Sequence, residues 1–174
     1  MSETVHKGDD FPIVITGLTN RFGDVAVHED LDLTVRRGEI LGVVGGSGSG
    51  KSVLSRSLLR LLPEATSTQQ GTISFQGQDL LALDESHFRA IRGRDIAMIF
   101  QDPMLALDPV YTIGEQIAEA VMRHEGASRA QGRARALDML TRVRIPSPER
   151  RLNAYPHEMS GGMRQRAMIA LALA

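Results

Sequence analysis

The sequence predicts an α/β chain organised around a phosphate-binding loop, and three adjoining observations predict it. Residues 45–52, Gly-Gly-Ser-Gly-Ser-Gly-Lys-Ser, carry the spacing G-x-x-x-x-G-K-S. Just before them, Glu39-Ile40-Leu41-Gly42-Val43-Val44 is a short apolar run ending in glycines, which reads as a buried strand. Just after, residues 51–62 place Leu54, Leu58 and Leu61 on one helical face, with Pro63 beyond the end. A strand that enters and a helix that leaves are the context the motif requires. A glycine-serine turn that merely happens to hold a lysine explains neither.

The loop's chemistry follows from its backbone. Glycines let the chain curl so that successive N–H groups point inward as an anion nest, and the following helix adds the positive end of its dipole. Gly45, Gly46, Ser47, Gly48, Ser49, Gly50, Lys51, Ser52 and Val53 are the candidate residues for a nucleoside triphosphate. Lys51 is expected to reach the β- and γ-phosphates as a point charge. Ser52 offers its hydroxyl to Mg²⁺, which takes few protein ligands and prefers phosphate oxygens and water.

The other elements follow in order. Residues 13–22 and 25–35 read as strands, with Leu31, Leu33 and Val35 alternating with polar residues, and Arg36-Arg37-Gly38 turns the chain. Residues 71–75 suggest a further strand, with a turn at Gly77. Asp84 is a candidate N-cap with His87 at the third helical position, for a helix running to about Ile91. Residues 95–100 are a second candidate for a buried strand, broken by Gln101-Asp102-Pro103. Thr112 and Ser128 are N-cap candidates for two amphipathic helices, one carrying Ile113, Ile117 and Val121, the other Leu137, Leu140 and Val143. Pro146 and Pro148 predict a loop, and from Gly161 the chain reads as helix. That helix ends in the apolar run 168–174 with no residue to close it, which reads as a chain cut in mid-pattern.

Composition narrows the function classes. An apolar content of 42% and a charged content of 24% describe a globular chain. A net charge of −1 gives no electrostatic case for nucleic acid. The chain has no cysteine, which fits a cytosolic setting and removes disulfides, thiolate metal sites and a cysteine nucleophile. His6, His28, His87, His124 and His157 show no metal-ligand spacing, so surface or capping roles are expected. The arginines of 129–151 are interspersed with Asp138 and Glu149 and lack interleaved aromatics, so they read as a solvated helical face. The N-terminus is polar and unlike a signal peptide, and no apolar run approaches the ~18 residues of a membrane span.

A second motif assigns the phosphate loop to a kind of machine. Ser160-Gly161-Gly162-Met163-Arg164-Gln165-Arg166 resembles the signature sequence of ATP-binding cassette (ABC) transporters, with Met159 and Met163 where members more often carry leucine and glutamine. The resemblance extends over nearly the whole chain. It implies ATP and Mg²⁺ as cofactors, and a sandwich of two nucleotide-binding subunits, alike or different. In it Ser160, Gly161, Gly162 and Met163 contact ATP held by the opposite subunit. It matches Phe22 to an aromatic that stacks on adenine; a core phenylalanine ending a strand is the plain alternative. It matches Gln101 to a glutamine that touches Mg²⁺ and the attacking water and senses the membrane partner, which makes Lys51 and Gln101 the catalytic candidates.

Phe100-Gln101-Asp102-Pro103-Met104, the stretch from Leu107 to Gln116 and the stretch from Tyr155 to Arg166 are similar to the ATPases of di- and oligopeptide importers. Arg21-Phe22-Gly23 and the stretch from Val27 to Leu33 are similar instead to those of lipid-trafficking importers. The peptide reading leads because its blocks lie nearer the permease-facing region. The implied fold is a P-loop NTPase core with an incomplete sheet, an antiparallel β subdomain and a helical subdomain. The implied organisation is 1–111 for the β subdomain and core, 112–160 for the helical subdomain, and 161–174 for the signature helix. The implied partners are permease subunits and, indirectly, a substrate-binding protein, at the cytoplasmic face of the membrane.

In the family an Asp-Glu pair and a later histidine follow beyond the position of Ala174. The expectation is therefore of a chain truncated before these groups that binds nucleotide and turns it over poorly. A non-catalytic remnant is the alternative. A repair-type ATPase does not fit, because Lys51 and Ser160 are too close for an inserted coiled coil and no heptads are sustained.

Overall fold

The computed structural model describes residues 10–174; the polar N-terminal segment and His6 lie outside the described residues. The chain forms two compact units, the first ending at Arg89 and the second beginning at Ala90.

The first unit is built on an antiparallel sheet of order β2-β1-β3-β4. Its strands are β1 (Ile13–Phe22), β2 (Val25–Val35), β3 (Ser67–Phe75) and β4 (Gln78–Asp79). Strands β1 and β2 have the expected bounds, whereas β3 begins four residues earlier than the apolar run 71–75, at Ser67. A bulge interrupts β1: Gly17 has φ +60, and the β1–β3 register slips between Thr16 and Thr19. An inserted residue exchanges the faces of the pleat. Ile15 is buried before the bulge, and Leu18 and Asn20 are buried after it. Gly71, with φ +95, lies opposite, where an added Cβ would be 2.5 Å from the Gly17 carbonyl oxygen. The Gly17 N–H donates to Asp32 Oδ1 at 2.8 Å, which holds the bulge from the β2 side.

Helix α1 spans Lys51–Leu58, four residues short of the predicted 51–62. Arg60 takes a left-handed conformation, φ +50, and the Leu61 N–H reaches back to the Arg56 carbonyl at 2.9 Å, so the backbone closes the helix early. Helix α2 (Glu85–Ile91) starts where expected: Asp84 Oδ1 accepts from the His87 N–H at 2.9 Å and from the Ser86 hydroxyl at 2.7 Å. These bonds hold the Asp84 carboxyl well below the usual carboxylate range.

Two predicted strands do not form. Residues 39–44 and 95–100 join no ladder among the described residues, apart from the isolated bridge of Ile96 with Arg92. Ile40 is 99% exposed and Val44 93%. An apolar run becomes a buried strand only when neighbouring strands take up its N–H and C=O groups, and no described strand lies beside these two.

The second unit is helical, with α3 (Ile113–Glu125), α4 (Arg129–Arg142), the single turn α5 (Pro148–Arg151) and α6 (Gly161–Ala172). Pro148 thus opens a helical turn within the predicted loop, at the first position where its missing N–H costs nothing. Thr112 and Ser128 cap α3 and α4 through complete capping boxes with Glu115 and Gln131. The hydrogen bonds from Thr112 hold the Glu115 carboxyl below its ordinary value. Ile113, Ile117, Val121, Met139, Leu140 and Ala167 are fully buried and form the heart of this unit. Gly132 lets α4 approach α3 closely, since a Cβ there would be 2.9 Å from the Ala118 carbonyl oxygen. Among the described residues no helix is long and apolar enough to cross a membrane.

Candidate functional site

The phosphate loop curls as its glycines predict. Gly48 and Gly50 have φ +81 and +87, values that side-chain-bearing residues rarely adopt. The Ser49 N–H closes a turn on the Gly46 carbonyl at 3.3 Å. A Cβ on Gly45 would be 2.5 Å from Ser49 Oγ, so the glycine permits the closure. The Lys51 ammonium folds over the loop and donates to the carbonyls of Gly45 and Gly46, both at 2.8 Å, and to Ser49 Oγ at 3.1 Å.

Helix α1 begins directly from this curl. The Leu54 N–H bonds the Gly50 carbonyl at 2.8 Å, and no side chain caps the helix. Its first N–H groups, on Lys51, Ser52 and Val53, have no intrahelical partner and stand at the positive end of the helix dipole. A curled loop at a helix start, the Lys51 ammonium folded over it and an exposed Ser52 fit the phosphates and magnesium of a nucleotide. Ser52 supplies one oxygen, which suits an ion that keeps most of its sites for phosphate and water.

The signature segment makes a second helix start. Ser160 is the N-cap of α6, and its hydroxyl accepts from the Met163 N–H at 3.4 Å. Ser160, Gly161 and Gly162 are exposed, and a Cβ on either glycine would meet nothing within 4 Å. The space above this helix start is open. Met159, just before it, is buried in the core of the unit.

A model of the ABC transporter family matches residues 28–174. The chain belongs to the ABC transporter family. It is 58% identical over 158 residues to a Sinorhizobium fredii protein named a probable peptide ABC transporter ATP-binding protein, covering 90% of this chain and 45% of that one. It is 54% identical over 148 residues to a peptidoglycan transport ATP-binding protein of Agrobacterium fabrum, covering 84% of this chain and 27% of that one. Among solved structures it resembles a dimeric ATP-binding cassette in a post-hydrolysis state bound to ADP and Pi. That match has a TM-score of 0.80 and 28% identity, and covers 93% of this chain and 69% of the other. The chain spans about half the length, or less, of the curated relatives it matches. Its fold is that of an ABC ATP-binding domain, a P-loop NTPase with an antiparallel sheet and helices.

The remaining residues of this ABC chain fall as follows. Gln101 is exposed at the turn after Phe100; Asp102 Oδ1 accepts from the Met104 N–H at 2.9 Å and starts the short turn Pro103–Leu105. Arg164 of α6 donates to Met104 Sδ at 3.1 Å, so the second unit brings the Gln101 segment against the signature helix. Gln116 explains much of the stretch from Leu107 to Gln116. Its amide accepts from the Asp108 N–H at 2.9 Å and donates to the carbonyls of Asp108 and Tyr111 at 2.8 and 3.0 Å. Phe22 is half-buried at the end of β1, paired with Val25 and Ser67. No group of three or more histidines and carboxylates that could hold a metal ion occurs among the described residues.

The sequence reading missed one cluster. His28 was expected at the surface or in a cap, a role that His87 fills but His28 does not. His28 is half-buried beneath the phosphate loop, against Gly50, and joins Asn20 and Ser57 in a polar network. The usable signal was a polar residue on each of two paired strands, but the bulge at Gly17 that turns Asn20 inward is not a local pattern.

Proposed function

We propose that this chain is the ATP-binding part of a membrane importer that couples ATP binding and hydrolysis to uptake of peptides. The observation that carries the reading is the presence, in one chain, of a glycine-curled phosphate loop and of an open helix start at Ser160. One suits a triphosphate in cis, the other the γ-phosphate of a second copy's nucleotide. The peptide assignment rests on what the relatives are named for and on the blocks around Gln101 and Ser160.

The roles are assigned residue by residue. The backbone of residues 45–53 surrounds the phosphates, and Lys51 exchanges its loop carbonyls for phosphate oxygens. Ser52 holds Mg²⁺, with Gln101 as its further ligand; the ion offsets phosphate charge. Phe22 stacks on the base. Ser160, Gly161, Gly162 and Met163 contact nucleotide across a dimer of two such subunits. The stretches 1–111, 112–160 and 161–174 serve as nucleotide core, permease-facing helical region and signature helix. The assembly works at the cytoplasmic face of a membrane with permease subunits and a substrate-binding protein.

The test is uptake of labelled oligopeptides by source cells in which Lys51 is replaced by alanine in the chromosomal copy. Loss of peptide uptake with normal uptake of lipid supports the reading. Intact peptide uptake, or a defect confined to lipid, overturns the substrate assignment. Calorimetry showing no MgATP binding by the purified protein overturns the reading as a whole.

A further inference from the structure

A buried polar network beneath the phosphate loop has no part in the roles assigned above. Asn20 is fully buried on β1 and pairs in register with His28 on β2. Its amide nitrogen donates to Ser57 Oγ at 3.0 Å and lies 2.9 Å from His28 Nδ1. The hydrogen inventory fixes the direction of each bond. The Ser57 hydroxyl spends its proton on the Val53 carbonyl at 2.8 Å, so toward Asn20 it only accepts. The second amide hydrogen of Asn20 then points at His28 Nδ1, which must carry a lone pair. Turning the amide over would bury two orphaned donors in place of the single unpartnered oxygen Oδ1. The ring is therefore in its Nε2–H tautomer.

That N–H faces Gly50. A Cβ on Gly50 would overlap His28 Nε2 and lie 2.9 Å from Val27 Cγ1, so only glycine admits the ring. The ring edge therefore lies directly against the Gly50 backbone. The Gly50 carbonyl receives the Leu54 N–H, and a carbonyl has a second lone pair to offer. The peptide unit makes this contact consequential. In a planar trans peptide the Gly50 C=O and the Lys51 N–H point in opposite directions. Anchoring the carbonyl inward aims the Lys51 N–H outward, into the curl of the loop.

We infer that His28, held in its Nε2–H tautomer by Asn20, gives that N–H to the Gly50 carbonyl and is a positioning residue that orients the Gly50–Lys51 peptide and thereby sets the phosphate loop's affinity for nucleotide. The inference rests on the reading that the loop binds ATP. The chain of contact runs from Val53 through Ser57, Asn20 and His28 to Gly50, so helix α1, the sheet and the loop are tied at one point.

The test compares MgATP affinity by calorimetry for the wild-type protein and three variants, with thermal unfolding recorded for each. Leucine at 28 fills the space with no polar atom. Asparagine retains an acceptor for Asn20 but falls short of Gly50, whereas glutamine carries its amide N–H to about the position of Nε2. We expect His28→Leu and His28→Asn to weaken binding about tenfold, the scale of one well-placed hydrogen bond, and His28→Gln to recover it to within about twofold. The tautomer is read independently from imidazole ¹⁵N shifts. A protonated Nδ1 in the neutral ring, or a His28→Leu protein that binds as tightly as wild type, overturns the inference alone. Glutamine failing where leucine also fails, with all variants folded, reduces His28 to packing and overturns it too. A folded wild-type protein that does not bind MgATP overturns the functional reading, and this inference with it.

Discussion

The Arg60 guanidinium lies 4.6 Å from the centroid of the Phe88 ring. It also donates to the carbonyls of Leu81 and Leu83 at 2.7 and 2.6 Å. One side chain thus joins the end of α1 to the segment entering α2. Arg60→Ala should lower stability by about 2–3 kcal/mol, through two charge-assisted bonds and a cation–π contact. Arg60→Lys should recover only part: both carbonyls are served by the one nitrogen Nη2, which an ammonium can replace, but the flat guanidinium over the Phe88 ring is lost. Urea midpoints for the three proteins check this, and an unchanged midpoint in the alanine variant refutes it.

Gly71 should resist substitution more than its exposed position suggests. An alanine there combines φ +95 with a Cβ 2.5 Å from the Gly17 carbonyl oxygen. Gly71→Ala is expected to cost about 2 kcal/mol or more. It should also disturb the bulge that turns Asn20 inward, which a change in the Asn20 side-chain amide resonances would report.

His28 gives stability a defined pH dependence. Burial pushes its pKa below the ordinary value of 6.5, outweighing the opposing pull of the Gly50 backbone beside it. The unfolded chain therefore takes up the proton first as pH falls. The contribution is complete above 6.5 and is lost as pH drops below 6.5 toward the lower folded value. Urea midpoints measured from about pH 8 down to about pH 5.5 should decline in wild type and decline less in His28→Gln. Parallel declines would count against this assignment.

Lys51→Ala should weaken MgATP binding by tenfold or more, roughly the worth of one charge-assisted contact. Its melting temperature should move little, since the ammonium is bonded only to exposed loop atoms. Fluorescent-nucleotide titration beside a thermal melt separates the two effects. A matched loss of both would mean that the lysine holds the fold.

Gly162→Asp probes the signature helix without a steric term. A Cβ at this exposed position meets nothing within 4 Å, and a carboxylate in the first turn of α6 suits the helix dipole. Stability should hold or rise slightly. ATP-driven self-association should fall, because in the proposed arrangement the new charge would face the triphosphate of the second copy. Size-exclusion chromatography with and without MgATP tests this; equal dimer formation in both proteins removes the signature from the nucleotide interface.

Much of the fold was legible because its signals are local. The bounds of β1 and β2, the caps at Asp84, Thr112 and Ser128, and the glycine-lysine spacing of the phosphate loop are carried by neighbouring residues. Their hydrogen bonds close within a few positions. The peptide blocks were legible as a pattern, but only the Gln116 side chain shows why the pattern from Leu107 to Gln116 folds as it does.

Other features depend on partners far along the chain. Helix α1 stops short because Arg60 is drawn away to the carbonyls of Leu81 and Leu83. The runs 39–44 and 95–100 have strand composition but no ladder among the described residues, since apolar character permits a strand and only a neighbour completes it. Asn20, His28 and Ser57 looked like ordinary polar residues until the Gly17 bulge changed which face of β1 is buried. The sequence by itself determined the family, the phosphate loop, the signature and the helix caps, because each is a short-range arrangement of backbone donors and small residues. Tertiary structure alone decided where α1 ends, which runs become strands and what lies beneath Gly50, because burial, register and the direction of a shared proton are set by atoms brought together from distant positions.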